Sequence, residues 1–185
     1  FGYDINSEKV SKLNQGVSPI EDVSDKTLNS SIESGLIFSD DSNSLRDCEH
    51  IVISVPTPLT DFKPDLSYVI SAAQEIAKNV VKGQVIILES TTYPGTTLEV
   101  LIPEIQKISD LKPGEDIYFG YSPERIDPGN KEWNFKNTPK VISGINDDSL
   151  SKIKSFYEKI IDTVVVVSGT KEAEMVKLLE NTYRQ

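Results

Sequence analysis

The chain has 185 residues, and its 19 Lys and Arg against 29 Asp and Glu give a formal charge of −10; cations scattered among more numerous carboxylates speak against a nucleic-acid scaffold, which needs a basic patch or stripe. At 37% hydrophobic and 26% charged residues the composition is globular, the length suits one domain or slightly more, and no apolar run approaches the ~20 residues of a membrane span. The single cysteine, Cys48, cannot form an internal disulfide, which suits a reducing, cytoplasmic compartment; no initiator Met precedes Phe1, so the sequence is expected to start inside a longer protein.

Two periodicities alternate along the chain. Short β-type runs are expected at 1–5, 36–39, 50–55, 84–89, 116–121, 140–143 and 163–167, most of them bounded by Gly, Pro, Asp or Asn. The first is followed by a helix at 7–14. The clearest helical pattern covers 66–81, where Leu66, Val69, Ala73, Ile76, Ala77 and Val80 share one face and Asp65 stands at the N-cap position. Helix 96–108 opens with Thr96 and Glu99 in capping-box spacing, straight after Pro94-Gly95. Two more helices are expected at 148–161 and from 171 to the end. Continuous Val/Ile strands are buried on both faces, and helices between them supply the crossovers that parallel strands require, so the class is α/β, doubly wound.

A dinucleotide-binding sheet usually opens with a strand, a glycine-rich turn and a helix N-terminus that holds the pyrophosphate. This sequence contains no GxGxxG. It does contain an acid, Asp4, at the end of a strand before a helix, the place from which a carboxylate binds the adenosine ribose hydroxyls and repels a 2′-phosphate. Asp4 either selects NAD in this way or caps the following helix. Four further segments carry candidate chemistry. Val55-Pro56-Thr57-Pro58 closes one strand with a stiff loop, Glu89 to Thr97 reads ESTTYPGTT at the end of another, and Ser122-Pro123-Glu124-Arg125 ends a third, with Pro128-Gly129 following. Glu174, Lys177, Asn181 and Arg184 share one helical face by their 3, 4, 3 spacing. A charged stripe of that kind is either functional or a solvated face.

Taken in order and at these intervals, VPTP, ESTTYPGTT, SPER with its PG, and EMVKLLEN resemble the N-terminal domain of the UDP-glucose/GDP-mannose dehydrogenase family. Gly2 to Gly16, with Asp4, Lys9, Leu13 and Asn14, is similar to that family's second strand and helix. The resemblance implies a mainly parallel, Rossmann-like sheet lacking its first βα unit, with 1–169 as a truncated NAD-binding domain and 170–185 as the start of a central interdomain and dimerisation helix. PDLSYV and SPERIDPG look more like the bacterial branch that oxidises UDP-N-acetylhexosamines. UDP-glucose enzymes tend to carry Phe where Arg125 stands and a second glutamate where Pro128 stands.

The family reaction is a four-electron oxidation of a sugar C6 hydroxyl to a carboxylate with two NAD and one water. By resemblance, Glu124 is the catalytic glutamate that activates water, in an apolar surround that favours its protonated form, and Thr91 helps to place that water. Lys177 and Asn181, one helical turn apart, contact substrate and point an ammonium and an amide at the oxygen that gains charge. Asp4 and Lys9 lie near the adenosine ribose, and Thr57 and Thr91 border the pyrophosphate and nicotinamide. Arg125 either reaches substrate phosphate or acetamido oxygen or braces its loop. The family's catalytic cysteine is expected beyond residue 185, which leaves Cys48 as a structural thiol. One Cys and one His cannot build a typical zinc site, so no metal is expected. The fragment alone is expected to be inactive, its parent a homodimer with a UDP-sugar as substrate and neither nucleic acid nor membrane as partner. The competing readings are a UDP-glucose or GDP-mannose 6-dehydrogenase, and a non-catalytic Rossmann-type binding module.

Overall fold

The computed structural model describes residues 1–20, 23–60, 63–125 and 134–183, and the chain forms two compact units, Phe1–Asp47 and Cys48–Gln185. The expected boundary at 169/170 falls inside the second unit, where the last helix begins.

In the first unit, β1 (Gly2–Tyr3) pairs in parallel with β2 (Phe38–Ser39), and helices α1 (Ser7–Asn14) and α2 (Asp25–Glu33) lie between them in sequence. Val10, Leu13, Leu28 and Leu45 form its buried apolar set. β1 stops short of the expected residue 5 because the Asp4 carboxylate accepts the Asn6 N–H at 3.0 Å, and Asn6 in turn accepts the Lys9 N–H and caps α1. Helix α2 is not legible as an apolar stripe, since Leu28 is its one buried residue and Ile32 its only other apolar one.

The second unit is built on a five-stranded sheet in the order β3 (His50–Ile53), β6 (Val85–Leu88), β7 (Tyr118–Tyr121), β8 (Lys140–Gly144), β9 (Val164–Val166). All neighbours run parallel except β7 and β8, which pair antiparallel through Gly120↔Gly144 and Tyr121↔Ser143. The sheet is therefore mainly parallel, as expected. Between β3 and β6 come a short antiparallel hairpin, β4 (Leu59–Thr60) with β5 (Lys63–Pro64), and helix α3 (Ser67–Asn79). Asp65, expected at the N-cap, stands one residue before it: the N-cap of α3 is Leu66, which makes no side-chain cap hydrogen bond, and Asp65 accepts the Ser67 N–H at 2.9 Å. β6 is buried along its whole length. Val85 and Ile87 pack with Ile142 against Ile153, Tyr157 and Ile161, and α5 (Asp147–Tyr157) supplies Ile153 and Tyr157. Ile86 and Leu88 are equally buried and point to the opposite face by strand alternation. Helices thus cover a sheet that is apolar on both sides.

The expected helix 96–108 is a π-helical turn, Thr97–Leu101, that runs into the short helix α4 (Ile102–Gln106). Pro103 has no amide to give the carbonyl four residues back, and Ile102 N–H reaches Thr97 O, five residues back. The last helix, α6 (Thr170–Tyr183), packs on β7, β8 and the π-turn.

Candidate active site

Because β3, β6 and β7 run parallel, the loops that follow them emerge at one edge of the sheet. Hydroxyl groups fasten these loops together. Thr57 donates to the Thr91 carbonyl at 2.6 Å, Ser90 to Val55 O at 2.8 Å, and Tyr121 to Ser90 O at 3.1 Å. Ser122 donates across to Val141 O at 2.8 Å. Two of the expected residues, Thr57 and Thr91, are therefore in direct contact.

The antiparallel strand adds a group that parallel topology would have placed at the far edge. Running the β7–β8 register onward from Tyr121↔Ser143 sets Lys140, the first residue of β8, opposite Glu124. The Lys140 ammonium lies 3.1 Å from Glu124 Oε2 and 2.7 Å from Glu89 Oε1, at the end of β6. Tyr157 of α5 donates its hydroxyl to the same Glu89 oxygen at 2.5 Å. The Lys140 side chain is 4% exposed, against 39% for Glu124. The surround of Glu124 is thus ionic rather than the apolar one expected from sequence. Its other oxygen, Oε1, accepts the Arg125 N–H at 2.7 Å.

Helix α6 closes on these loops through three side chains spaced three apart. Glu174 is fully buried; its carboxylate accepts the N–H groups of Gly95 (2.5 Å) and Thr97 (2.8 Å) and the Thr97 hydroxyl (2.7 Å). Lys177 donates to the carbonyl oxygen of Glu124 at 2.5 Å. Glu180 Oε1 receives Arg125 Nε at 2.6 Å and Nη2 at 2.5 Å. Arg125 also donates to Pro139 O at 2.7 Å, so here it braces the loop that carries Glu124, the second of its two expected roles. Glu124 and Lys177 meet although 53 positions separate them. Asn181 is exposed, and Glu180 faces the loops instead. Arg184, Pro128 and Gly129 lie outside the described residues. The expected capping box does not form: Thr96 is already helical and gives its N–H and its hydroxyl to Tyr93 O, the Glu99 N–H goes to Gly95 O, and the Glu99 carboxylate pairs with Lys171 at 2.7 Å.

In the first unit, Lys9 Nζ donates to Asp4 Oδ2 at 2.5 Å. Burial pushes the Asp4 carboxyl up, but the hydrogen bonds from Lys9 and from the Asn6 N–H outweigh it and hold it below the usual carboxylate range. A partly exposed, firmly ionised carboxylate at a strand end fits a ribose diol, with Lys9 beside it. Among the described residues no group of three or more His, Cys, Asp or Glu is placed to hold a metal ion, and no helix is long and apolar enough to cross a membrane.

Sequence reasoning assigns no role to Glu89, Lys140, Tyr157 or Glu180. The one local signal is a lysine opening a Val/Ile strand just after a Glu-Arg strand end, and charge at such a position is more often solvated than buried.

The model of the UDP-glucose/GDP-mannose dehydrogenase family, NAD binding domain, matches residues 1–161. The chain is 38% identical over 185 residues to UDP-N-acetyl-D-glucosamine 6-dehydrogenase of Pseudomonas aeruginosa, an alignment that covers 99% of this chain and 43% of that protein. Among solved structures, UDP-D-ManNAc dehydrogenase of Pyrococcus horikoshii superposes with a TM-score of 0.91 at 34% identity, over 99% of this chain and 44% of the other. GDP-mannose dehydrogenase of Pseudomonas aeruginosa, solved as a ternary complex, gives 0.90 at 27% identity over 99% and 44%. The chain spans less than half the length of the relatives it matches. Its fold is that of a dehydrogenase Rossmann domain, and the cofactor of this domain is NAD.

Proposed function

We propose that this chain, which belongs to the UDP-glucose/GDP-mannose dehydrogenase family, is the NAD-binding part of a longer, cytoplasmic nucleotide-sugar 6-dehydrogenase that makes uronates for cell-surface polysaccharide. The substrate is a UDP-N-acetylhexosamine, UDP-N-acetylglucosamine or UDP-N-acetylgalactosamine. Arg125 supports that choice over UDP-glucose, as does the 38% identity to a UDP-N-acetyl-D-glucosamine 6-dehydrogenase.

The observation that carries the reading is the contact of Lys177 with the loop of Glu124. It brings a primary amine to the loop that carries the Glu124 carboxylate, and Glu174 on the same helix holds the hydroxyl-rich segment that follows Thr91, at the edge where doubly wound sheets bind ligands. NAD, when bound, accepts hydride. The residues of this chain do the rest. Asp4 and Lys9 hold the adenosine ribose, and Thr57 and Thr91 border the pyrophosphate and nicotinamide. Lys177 and Asn181 bind the sugar and stabilise charge on the reacting oxygen. Glu124 activates the water that releases the carboxylate product, with Thr91 placing it. The parent chain dimerises through the helix that α6 begins.

The test is Glu124→Gln in the full-length protein. The variant should bind NAD and UDP-sugar normally but lose ~10²–10⁴-fold in kcat, the usual worth of a positioned acid–base group. Unchanged kcat would remove Glu124 from the chemistry. Turnover of the wild type on UDP-glucose or GDP-mannose in preference to either UDP-N-acetylhexosamine would move the substrate to the competing branch.

A further inference from the structure

We propose that Lys140 is the positioning residue of Glu124: anchored by Glu89 and Tyr157, its ammonium holds the Glu124 carboxylate in one orientation and in its ionised form. The inference rests on the reading of Glu124 as the base. A lysine with 4% of its side chain exposed carries its charge at a cost unless it is paired and hydrogen-bonded. Fold alone does not call for one here, since the next residues of the strand, Val141 and Ile142, are apolar and buried. Glu89 is the fixed end of the arrangement. Its Oε1 takes both the ammonium at 2.7 Å and the Tyr157 hydroxyl at 2.5 Å, and only 12% of its side chain is exposed. The rings of Tyr157 and Phe135 lie 5.3 Å and 5.8 Å from the ammonium and flank it. Glu124 is the open end, 39% exposed and 3.1 Å away.

Two neighbouring cations among the described residues are directed to other acceptors. The guanidinium of Arg125 is turned to Glu180, and Lys177 donates to the Glu124 carbonyl. The second carboxylate oxygen takes the Arg125 N–H. A cation within 4–6 Å favours the charged form of a carboxylate, and a second anion on the same cation weakens that effect. Lys140 and Glu89 therefore act on Glu124 in opposite directions.

The experiment uses the full-length protein with ¹³C-labelled glutamate, the Glu124 carboxylate signal being identified by its loss in Glu124→Gln. Its titration midpoint is followed without substrate, beside the pH profile of kcat. Lys140→Met should raise the midpoint by about 1–3 units and carry the acid limb of kcat upward with it, and Lys140→Arg, which keeps the charge, should return both toward wild type. Glu89→Gln should lower the midpoint, because the ammonium then serves one anion. An unmoved midpoint in soluble Lys140→Met, or in Glu89→Gln where Lys140→Met does not fold, overturns the proposal. The two readings fail separately, because the titration needs no turnover: full activity in Glu124→Gln refutes the base assignment, and the midpoint decides the role of Lys140.

Discussion

The Tyr157 hydroxyl and the half-buried His50 ring are titratable groups with well-defined partners. Burial, reinforced by the neighbouring Glu89 charge, raises Tyr157 far above the ordinary phenol range, so it serves as a neutral donor to Glu89. Replacing it by Phe removes one hydrogen bond to a charged acceptor and is expected to cost about 1.5–3 kcal/mol, read from urea unfolding. His50 stacks on Phe156 with ring centroids 4.6 Å apart. Burial lowers its pKa against the opposing Glu49 charge, and Lys159 and Lys152 push the same way as burial. An unfolded chain takes up this proton near pH ~6.5 and the folded chain only at lower pH, so the stability His50 contributes is present above ~6.5 and is lost as pH falls through the window below it. Thermal melts should show that loss as pH falls below about 6.5 in the wild type and a flatter profile in His50→Phe, which keeps the ring stack.

At the scale of elements, α6 and the strand-end loops stand or fall together through Glu174. Glu174→Ala leaves the amides of Gly95 and Thr97 without their acceptor in the interior, at an expected cost of about 2–6 kcal/mol for two unsatisfied donors. Hydrogen exchange at these two amides should accelerate well beyond that of β6. Gly120 marks the other tight junction, since a Cβ there would sit 2.0 Å from Ser143 O and 2.3 Å from Ile153 Cδ1. Gly120→Ala must part β7 from β8 and α5, an overpacking cost of at least about 1–3 kcal/mol that a denaturation midpoint will register. The parallel strands are legible in the sequence because runs such as Val85–Leu88 have no polar face. Helix α1 is legible because Asn6 and Asp4 punctuate its start. The start of helix 96–108 misleads because a capping box is a local pattern: Thr96 is already helical and gives its hydroxyl to Tyr93 O, and the acceptor that takes the neighbouring Gly95 and Thr97 amides, Glu174, stands 77 positions from Thr97. Lys140 is illegible for the same kind of reason. What makes its burial tolerable is a pair of carboxylates from two other strand ends, and the antiparallel pairing of β8 with β7 brings them together.

For the whole molecule, a five-stranded sheet covered on both faces fixes three strand-end loops, and α6 reaches two of them with Glu174 and Lys177. That frame gives Glu124 a fixed cation on one side and a bound main chain on the other. An alcohol taken to a carboxylate gives up four electrons as two hydrides, so the proposed reaction has a stoichiometric signature that no binding module and no simple alcohol dehydrogenase shares. The decisive measurement is the ratio of NADH formed to sugar consumed when the full-length protein is given NAD and UDP-N-acetylglucosamine or UDP-N-acetylgalactosamine. A ratio of two, with a uronate as product, is predicted; a ratio of one with an aldehyde left over, or no NADH from any nucleotide sugar, would contradict the account.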